Sequence, residues 1–187
     1  MNIILFGPPG AGKGTQSRYL LKKLNCFQVS TGDMLRNEIE KNSEIGKEIT
    51  NSMNQGKFVN DEIVNNLIRN VVFDSEKKGK LIFDGYPRSL SQAKNLDSLL
   101  EKSSQKIDFI FFLNVNKDTI VKRIEKRKIL EKRSDDDLKT ILRRHDTYME
   151  TTKPVLEFYS KNSNFHEIDG TSEIELITTK INEIIKV

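Results

Sequence analysis

Residues 3–15 read Ile3-Ile4-Leu5-Phe6-Gly7-Pro8-Pro9-Gly10-Ala11-Gly12-Lys13-Gly14-Thr15. The apolar run is too short for anything but a buried strand, and Gln16–Leu24 reads as a helix with Tyr19, Leu20 and Leu24 at core spacing. The glycines therefore fall on a strand-to-helix turn, the context in which a Gly-rich stretch acts as a phosphate loop. Glycine lets the backbone bend back and aim several N–H groups inward, and the positive end of the following helix adds to the field. Lys13 then supplies a point charge for the β- and γ-phosphates of a nucleoside triphosphate. The strict pattern has Ser or Thr directly after the lysine; here Gly14 intervenes before Thr15. A glycine-rich turn without a ligand would need no lysine at this place.

Working outward, Phe27-Gln28-Val29 is a second short strand, and Ser30 or Thr31 is positioned to cap the helix that carries Met34, Leu35 and Ile39. Ile45, Ile49 and Met53 mark another helix, ended by Gly56, and Lys57-Phe58-Val59 is a connector. Asn60 opens a helix with Ile63, Val64, Leu67, Ile68, Val71 and Val72 on one face. Leu81-Ile82-Phe83 is a third strand ending on Asp84, followed by the turn Gly85-Tyr86-Pro87-Arg88 and a helix with Ala93, Leu96, Leu99 and Leu100. Ile107–Val115 is a near-continuous apolar strand, the pattern of a sheet covered on both faces. Residues 118–129 read as helical, 130–137 as a charged excursion, and Leu138 to Tyr159 as a long helix that Pro154 bends or ends. Phe165–Ile168 is a fifth strand, Asp169-Gly170-Thr171 a turn, and Ile174 to Ile185 a closing helix. Strands alternating with helices predict an α/β domain with a parallel sheet, and ligands of such sheets bind at the carboxyl ends of the strands. The residues after the first four strands are polar or basic, so they are expected to converge on one cleft.

With 187 residues, 36% of them hydrophobic and 31% charged, the chain can bury one full core. The net charge of +4 is dispersed and lacks interleaved aromatics, which argues against a nucleic-acid partner; a cleft for polyphosphates accounts for part of the excess. The one cysteine, Cys26, excludes an internal disulfide and is expected as a small buried residue near the second strand. The N-terminal apolar run is shorter than a signal-peptide core and no segment approaches membrane-spanning length, so a cytoplasmic location is expected. His145 and His166 have no ligand pattern around them; His145 is expected to pack along its helix.

The loop has the GxPGxGKGT form of nucleoside monophosphate kinases, and the rest of the chain resembles the adenylate kinase family along nearly its whole length. The carrying motifs are Ser30-Thr31-Gly32-Asp33-Met34-Leu35-Arg36, Asp84-Gly85-Tyr86-Pro87-Arg88 with Gln92, and Asp169-Gly170-Thr171, completed by Arg123, Arg127, Arg133 and Arg144. The resemblance implies ATP + AMP ⇌ 2 ADP with Mg²⁺, on a five-stranded parallel sheet flanked by helices with the phosphate-loop NTPase fold. It implies one domain: a core of 1–29, 60–125 and 137–187, an AMP-binding flap 30–59 and a short lid 126–136. Gly10, Ala11, Gly12, Lys13, Gly14, Thr15, Arg123, Arg127 and Ser172 would hold ATP. Thr31, Arg36, Lys57, Phe58, Val59, Gly85, Tyr86, Pro87, Arg88, Gln92, Arg133 and Arg144 would hold AMP. Lys13, Arg88, Arg123, Arg127, Arg133 and Arg144 would be catalytic, with Asp135 and Asp136 orienting the arginines. Asp84 would hold Mg²⁺ through water. The family implies nucleotides as partners, a monomer, and no membrane.

Read singly, Arg36, Arg123 and Arg127 are solvated helix-face residues and Arg88 a turn residue. A carboxylate such as Asp84 at a buried strand end, by contrast, needs a partner. Only five residues separate Arg127 from Arg133, so the chain lacks both the large flap and the four zinc-binding cysteines of many bacterial adenylate kinases, and no zinc is expected. Uridylate–cytidylate kinases share the short flap and stay open as an alternative. Thr31, where pyrimidine kinases tend to carry Ala, and Gln92 are the discriminating positions. A phosphate-loop switch protein of the GTPase type is the weaker alternative, since the guanine motif is missing: Asn116-Lys117-Asp118 has its acid one residue early. A non-catalytic nucleotide-binding module would not need the arginine set.

Overall fold

The computed structural model describes residues 1–55, 57–131 and 138–186, with 127–131, 138, 139 and 141 described in backbone only. The chain runs β1 (Ile3–Phe6), α1 (Lys13–Leu24), β2 (Phe27–Ser30), α2 (Thr31–Glu40), α3 (Glu44–Asn54), α4 (Asp61–Val72) and β3 (Leu81–Asp84). It continues with α5 (Leu90–Lys102), β4 (Phe109–Asn114), α6 (Lys117–Glu131), α7 (Leu138–Thr151), α8 (Lys153–Tyr159), β5 (Phe165–Asp169) and α9 (Ile174–Ile185). The strands form one parallel sheet in the order β2-β3-β1-β4-β5. This is the α/β architecture the sequence predicts.

Alternation along the strands divides the core. Ile4, Phe6, Val29, Leu81, Phe83 and Ile110 face a layer that draws on α2, α3, α4, α5 and α8. Ile3, Leu5, Ile82, Phe111, Leu113 and Ile168 face one built with α1, α6 and α9. Side chains two apart share a face, so a strand apolar at every position is one buried on both sides. β1 is such a strand, with all four residues buried. It lies between β3 and β4, where the strand order reverses, so the loop leaving it opens into the crevice that parallel sheets use for ligands.

At the other end of the sheet Asn2, only 1% exposed, gathers the strand starts. Its side chain accepts from Leu81 N at 3.1 Å and donates to Lys106 O at 2.9 Å. Its backbone N–H donates to Asp108 Oδ2 at 2.7 Å and its carbonyl accepts from Asp108 N at 2.9 Å.

Several local expectations change. Helix α1 begins at Lys13 and buries Gln16, Ser17 and Leu20; Tyr19, a quarter-turn off that face, is 46% exposed rather than in the core. Ser30, not Thr31, caps α2, its Oγ accepting from Asp33 N at 3.3 Å. The long helix is two, divided at Thr152, with Pro154 in the first turn of α8, where its missing N–H costs nothing. Helix α6 runs on to Glu131, into the stretch read as irregular. Cys26 is half-buried, just before β2. His145 is half-buried on α7, its Nδ1 3.6 Å from Asp146 Oδ1. Gly56 lies outside the described residues. At the corner between α2 and α3 the backbones touch: a Cβ on Gly46 would sit 2.1 Å from Glu38 O.

Candidate active site

The loop after β1 closes on itself, with Ala11 N donating to Pro8 O at 3.0 Å. Gly12, at φ 97°, stands at the N-cap of α1 and brings no side chain to it. The first N–H groups of the helix thus face no competing side-chain oxygen, which suits an anion. Lys13 Nζ folds back over the loop and donates to Gly7 O at 2.6 Å and Pro8 O at 3.2 Å. Gly10, at φ 84°, lies under α6, where a Cβ would come within 3.0 Å of Ile124. Both the backbone twist and the close approach exclude a side chain there.

From α6, Arg123 reaches across the loop, donating to Ala11 O at 3.3 Å and to Ser172 O at 3.4 Å. Ser172 belongs to the turn after β5. That turn is organised by Asp169, whose carboxylate accepts from Thr171 N, Thr171 Oγ1 and Ser172 Oγ. The Thr171 hydroxyl first, then its amide, hold that carboxyl below its usual pKa.

The ends of β2 and β3 supply the other wall. Gln28 Nε2 donates to Asp84 Oδ2 at 3.1 Å, and a Cβ on Gly14 would lie 3.6 Å from the same oxygen. Asp84 therefore meets the phosphate loop at the turn where Gly14 replaces the hydroxyl residue of the strict pattern. Thr31 Oγ1 donates to Gly85 O at 3.0 Å, which also accepts from Arg88 Nε at 2.6 Å.

Arg88 is held on several sides. Its N–H donates to Gln92 Oε1 at 2.7 Å, its carbonyl accepts from Thr152 Oγ1 at 3.1 Å, and its guanidinium lies 5.0 Å over the Phe58 ring. Burial, and next the charge of Arg144, lower its pKa to about 10; Asp84 opposes this and Arg36 adds to it. A cation so crowded is stabilised by an anion brought between the arginines.

Thr31, Arg36, Lys57, Phe58, Val59, Gly85, Arg88, Gln92 and Arg144 line one open cleft of about 580 Å³. A second cleft is lined by Gly7, Pro9, Lys13, Pro87, Tyr148 and Thr152. The two share Phe58, Gly85, Arg88 and Arg144. Of the residues expected around the acceptor, Tyr86 turns its side chain into the core, fully buried. Its hydroxyl donates to Asn65 Oδ1 at 2.8 Å and burial raises its pKa to about 12. The side chain of Arg127, and all of Arg133, Asp135 and Asp136, lie outside the described residues. Sequence reading missed Gln28, Asp61, Tyr148 and Thr152. Gln28 had a signal, a polar residue inside a short apolar strand; the others had none, because their partners are distant in the chain.

A family model described as adenylate kinase matches residues 5–164. An adenylate kinase of Pelagibacter ubique is 50% identical, the alignment covering all of both chains. That alignment runs over 213 positions, so this relative has residues with no counterpart here. Adenylate kinases of a Caulobacter species (strain K31) and a Nocardioides species are 39% and 36% identical, covering all of this chain and 99% and 98% of theirs. Motifs, fold and relatives agree over the length of the chain, which belongs to the adenylate kinase family.

Proposed function

We propose that the chain transfers the γ-phosphoryl group of ATP reversibly to AMP, giving two ADP, as an ATP:AMP phosphotransferase. The observation that carries this reading is the shared floor of the two clefts, Arg88 and Arg144. An acceptor phosphate in the cleft of Thr31 and Gln92 and a terminal phosphate over Lys13 would meet across those arginines. Phosphoryl transfer asks mainly for alignment and neutralised charge, and needs no covalent nucleophile.

In this reading the loop Gly10–Thr15 cradles the ATP phosphates, Lys13 leaves its loop carbonyls for them, and Arg123 covers the nucleotide, with Arg127 beside it and Ser172 at its edge. Arg36 and Arg88 grip the AMP phosphate by forked hydrogen bonds, with Arg133 and Arg144 reaching the group in flight. Thr31, Gln92 and the backbone of Lys57, Phe58 and Val59 hold the base; Gly85, Tyr86 and Pro87 shape the turn beneath it. Mg²⁺ would enter with ATP and spread the phosphate charge. Asp84 suits a hydrated ion: it is one carboxylate beside Gly14, and the described residues hold no cluster of three or more His, Cys, Asp or Glu side chains able to bind a metal directly. No zinc is required.

Residues 30–59 and 126–136 act as flaps that close over AMP and ATP, since water excluded from the site cannot take the phosphoryl group. The enzyme works as a cytoplasmic monomer on free nucleotides, without nucleic acid or membrane; among the described residues no helix is long and apolar enough to span a bilayer. The test is a panel of AMP, dAMP, UMP and CMP with ATP and Mg²⁺, together with ADP alone. AMP should be the best acceptor and ADP alone should disproportionate to ATP and AMP; preference for CMP would overturn the assignment.

A further inference from the structure

Gln92 is 3% exposed and lines the acceptor cleft, and both ends of its amide are held by protein. Oε1 accepts from Arg88 N at 2.7 Å. Nε2 donates to Asp61 Oδ1 at 2.6 Å. Asp61 is the first residue of α4, and its other oxygen accepts from Ser89 Oγ at 2.7 Å. Ser89 is itself fixed, as the N-cap of α5, accepting from Gln92 N at 3.2 Å. A carboxylate can only accept and a backbone N–H can only donate. Turning the Gln92 amide over would set Oε1 against Asp61 and Nε2 against the Arg88 N–H, two repulsive contacts in place of two hydrogen bonds.

We propose that Asp61 is a positioning residue that locks the Gln92 amide in one orientation, and that this lock lets the acceptor cleft distinguish a 6-aminopurine from a 6-oxopurine. The inference rests on the reading of this cleft as the AMP site. After its two internal bonds Gln92 keeps one N–H and one Oε1 lone pair. Adenine offers a donor at the 6-position beside an acceptor at N1. Hypoxanthine has the same shape and the reverse order, an acceptor at position 6 beside a donor at N1. A freely turning amide serves both by flipping. A locked one serves only the base whose order matches, and leaves polar groups unpaired against the other. Shape cannot make this distinction, so it falls to the groups that fix the amide. Asp61 holds one half of the lock, and the Arg88 N–H, which cannot rotate, holds the other.

The test compares kcat/KM for AMP and IMP, with ATP and Mg²⁺, in wild type, Asp61→Ala, Asp61→Asn, Gln92→Ala and Asp61→Ala/Gln92→Ala. Wild type should favour AMP strongly. Asp61→Ala should cut the AMP-to-IMP ratio by about tenfold, the loss of one charge-assisted hydrogen bond, through KM for the monophosphate with KM for ATP unchanged. Asp61→Asn should keep the ratio, since its Oδ1 still accepts from Gln92 Nε2 while its Nδ2 donates to Ser89 Oγ. The double variant should match Gln92→Ala, because Asp61 acts through Gln92.

A merely structural Asp61 would lower Tm and both kcat/KM values together, leaving the ratio within about twofold, and that outcome overturns the lock. So does an Asp61→Asn variant as unselective as Asp61→Ala. Should Asp61→Ala fail to fold, the wild-type Gln92 side-chain amide protons, assigned by their loss in Gln92→Ala, decide by NMR. Slow exchange with solvent supports the lock, and exchange at the rate of an exposed glutamine overturns it. Wild type that phosphorylates IMP as well as AMP would sink the adenylate reading itself; a selective wild type with an unselective role for Asp61 sinks only the lock.

Discussion

At the scale of single residues, what each side chain already touches decides what its removal costs. The Lys13 ammonium donates to carbonyls of its own loop and the Arg88 guanidinium to Gly85 O, and neither side chain fills a core position. Lys13→Ala and Arg88→Ala should therefore fold normally and lose about 10²–10³ in kcat, the usual cost of one contact that stabilises developing charge. Circular dichroism and steady-state rates with ATP and AMP check both halves of that statement. Thr31 is a sharper case. Its hydroxyl was open to two readings in the sequence, a helix cap or a group for the base, and Ser30 takes the cap. With the cap intact, Thr31→Ala should leave stability within about 1 kcal/mol and change selectivity, admitting CMP. Measuring kcat/KM for AMP and CMP reads this; an unchanged ratio would leave Thr31 with only its bond to Gly85 O.

At the scale of elements, the sequence was legible wherever a local rule decides the outcome. Short apolar runs gave the strands, and all five stand within or across those runs, β4 stopping short of Ile107 at one end and Val115 at the other. Helix ends were less legible, because they depend on neighbours. The break at Thr152 was legible from Pro154, but the bond from the Thr152 hydroxyl to Arg88 O, a partner far away in the chain, was not. The site residues recognised as motifs sit on different elements that the sheet brings together: Lys13 starts α1, Asp84 ends β3, Arg88 lies in the turn after it and Arg123 is on α6. Asp61 and Tyr148 were silent, since an acid at a helix start and a tyrosine on a helix face are common for other reasons. The corner between α2 and α3 is an element-scale constraint. A Cβ on Gly46 would meet backbone, the Glu38 carbonyl, which cannot swing aside as a side chain does. Gly46→Ala should cost about 2 kcal/mol or more by overpacking. A drop in Tm with kcat spared at low temperature would mark it as structural, and an unchanged Tm would show that the corner opens freely.

At the scale of the whole molecule, the largest pKa rises among the described residues belong to three buried phenols, which should weaken the fold in alkali. Burial foremost raises the pKa of Tyr86 to about 12, and raises Tyr148 and Tyr159 further still. Between the ordinary tyrosine value near 10 and those raised values, the unfolded chain gives up protons that the folded one keeps. Stability is fully present below pH ~10 and falls above it by about 1.4 kcal/mol per pH unit for each phenol. Arg88 works the other way. Its pKa is lowered to about 10, so the cost of keeping it charged is relieved as pH rises, offsetting one of the three. The net slope above pH ~10 should be about 2–3 kcal/mol per unit. Urea midpoints at pH 9, 10 and 11 measure it, and a flat profile would show that these phenols open to water.

The two ends of the sheet differ in another currency, that of alleles. Asn2 lies at the end away from the ligand clefts, and its hydrogen bonds go to residues that line neither cleft. Asn2→Ala would leave the buried Leu81 N–H and the Lys106 carbonyl without its side chain, a loss of about 2–3 kcal/mol. Each surviving molecule would turn over normally, but fewer would survive. In a cell that depends on this enzyme such an allele should be temperature-sensitive and suppressed by extra gene copies. An Arg88 allele should be defective at every temperature, and no increase in dosage within reach would make up the lost rate.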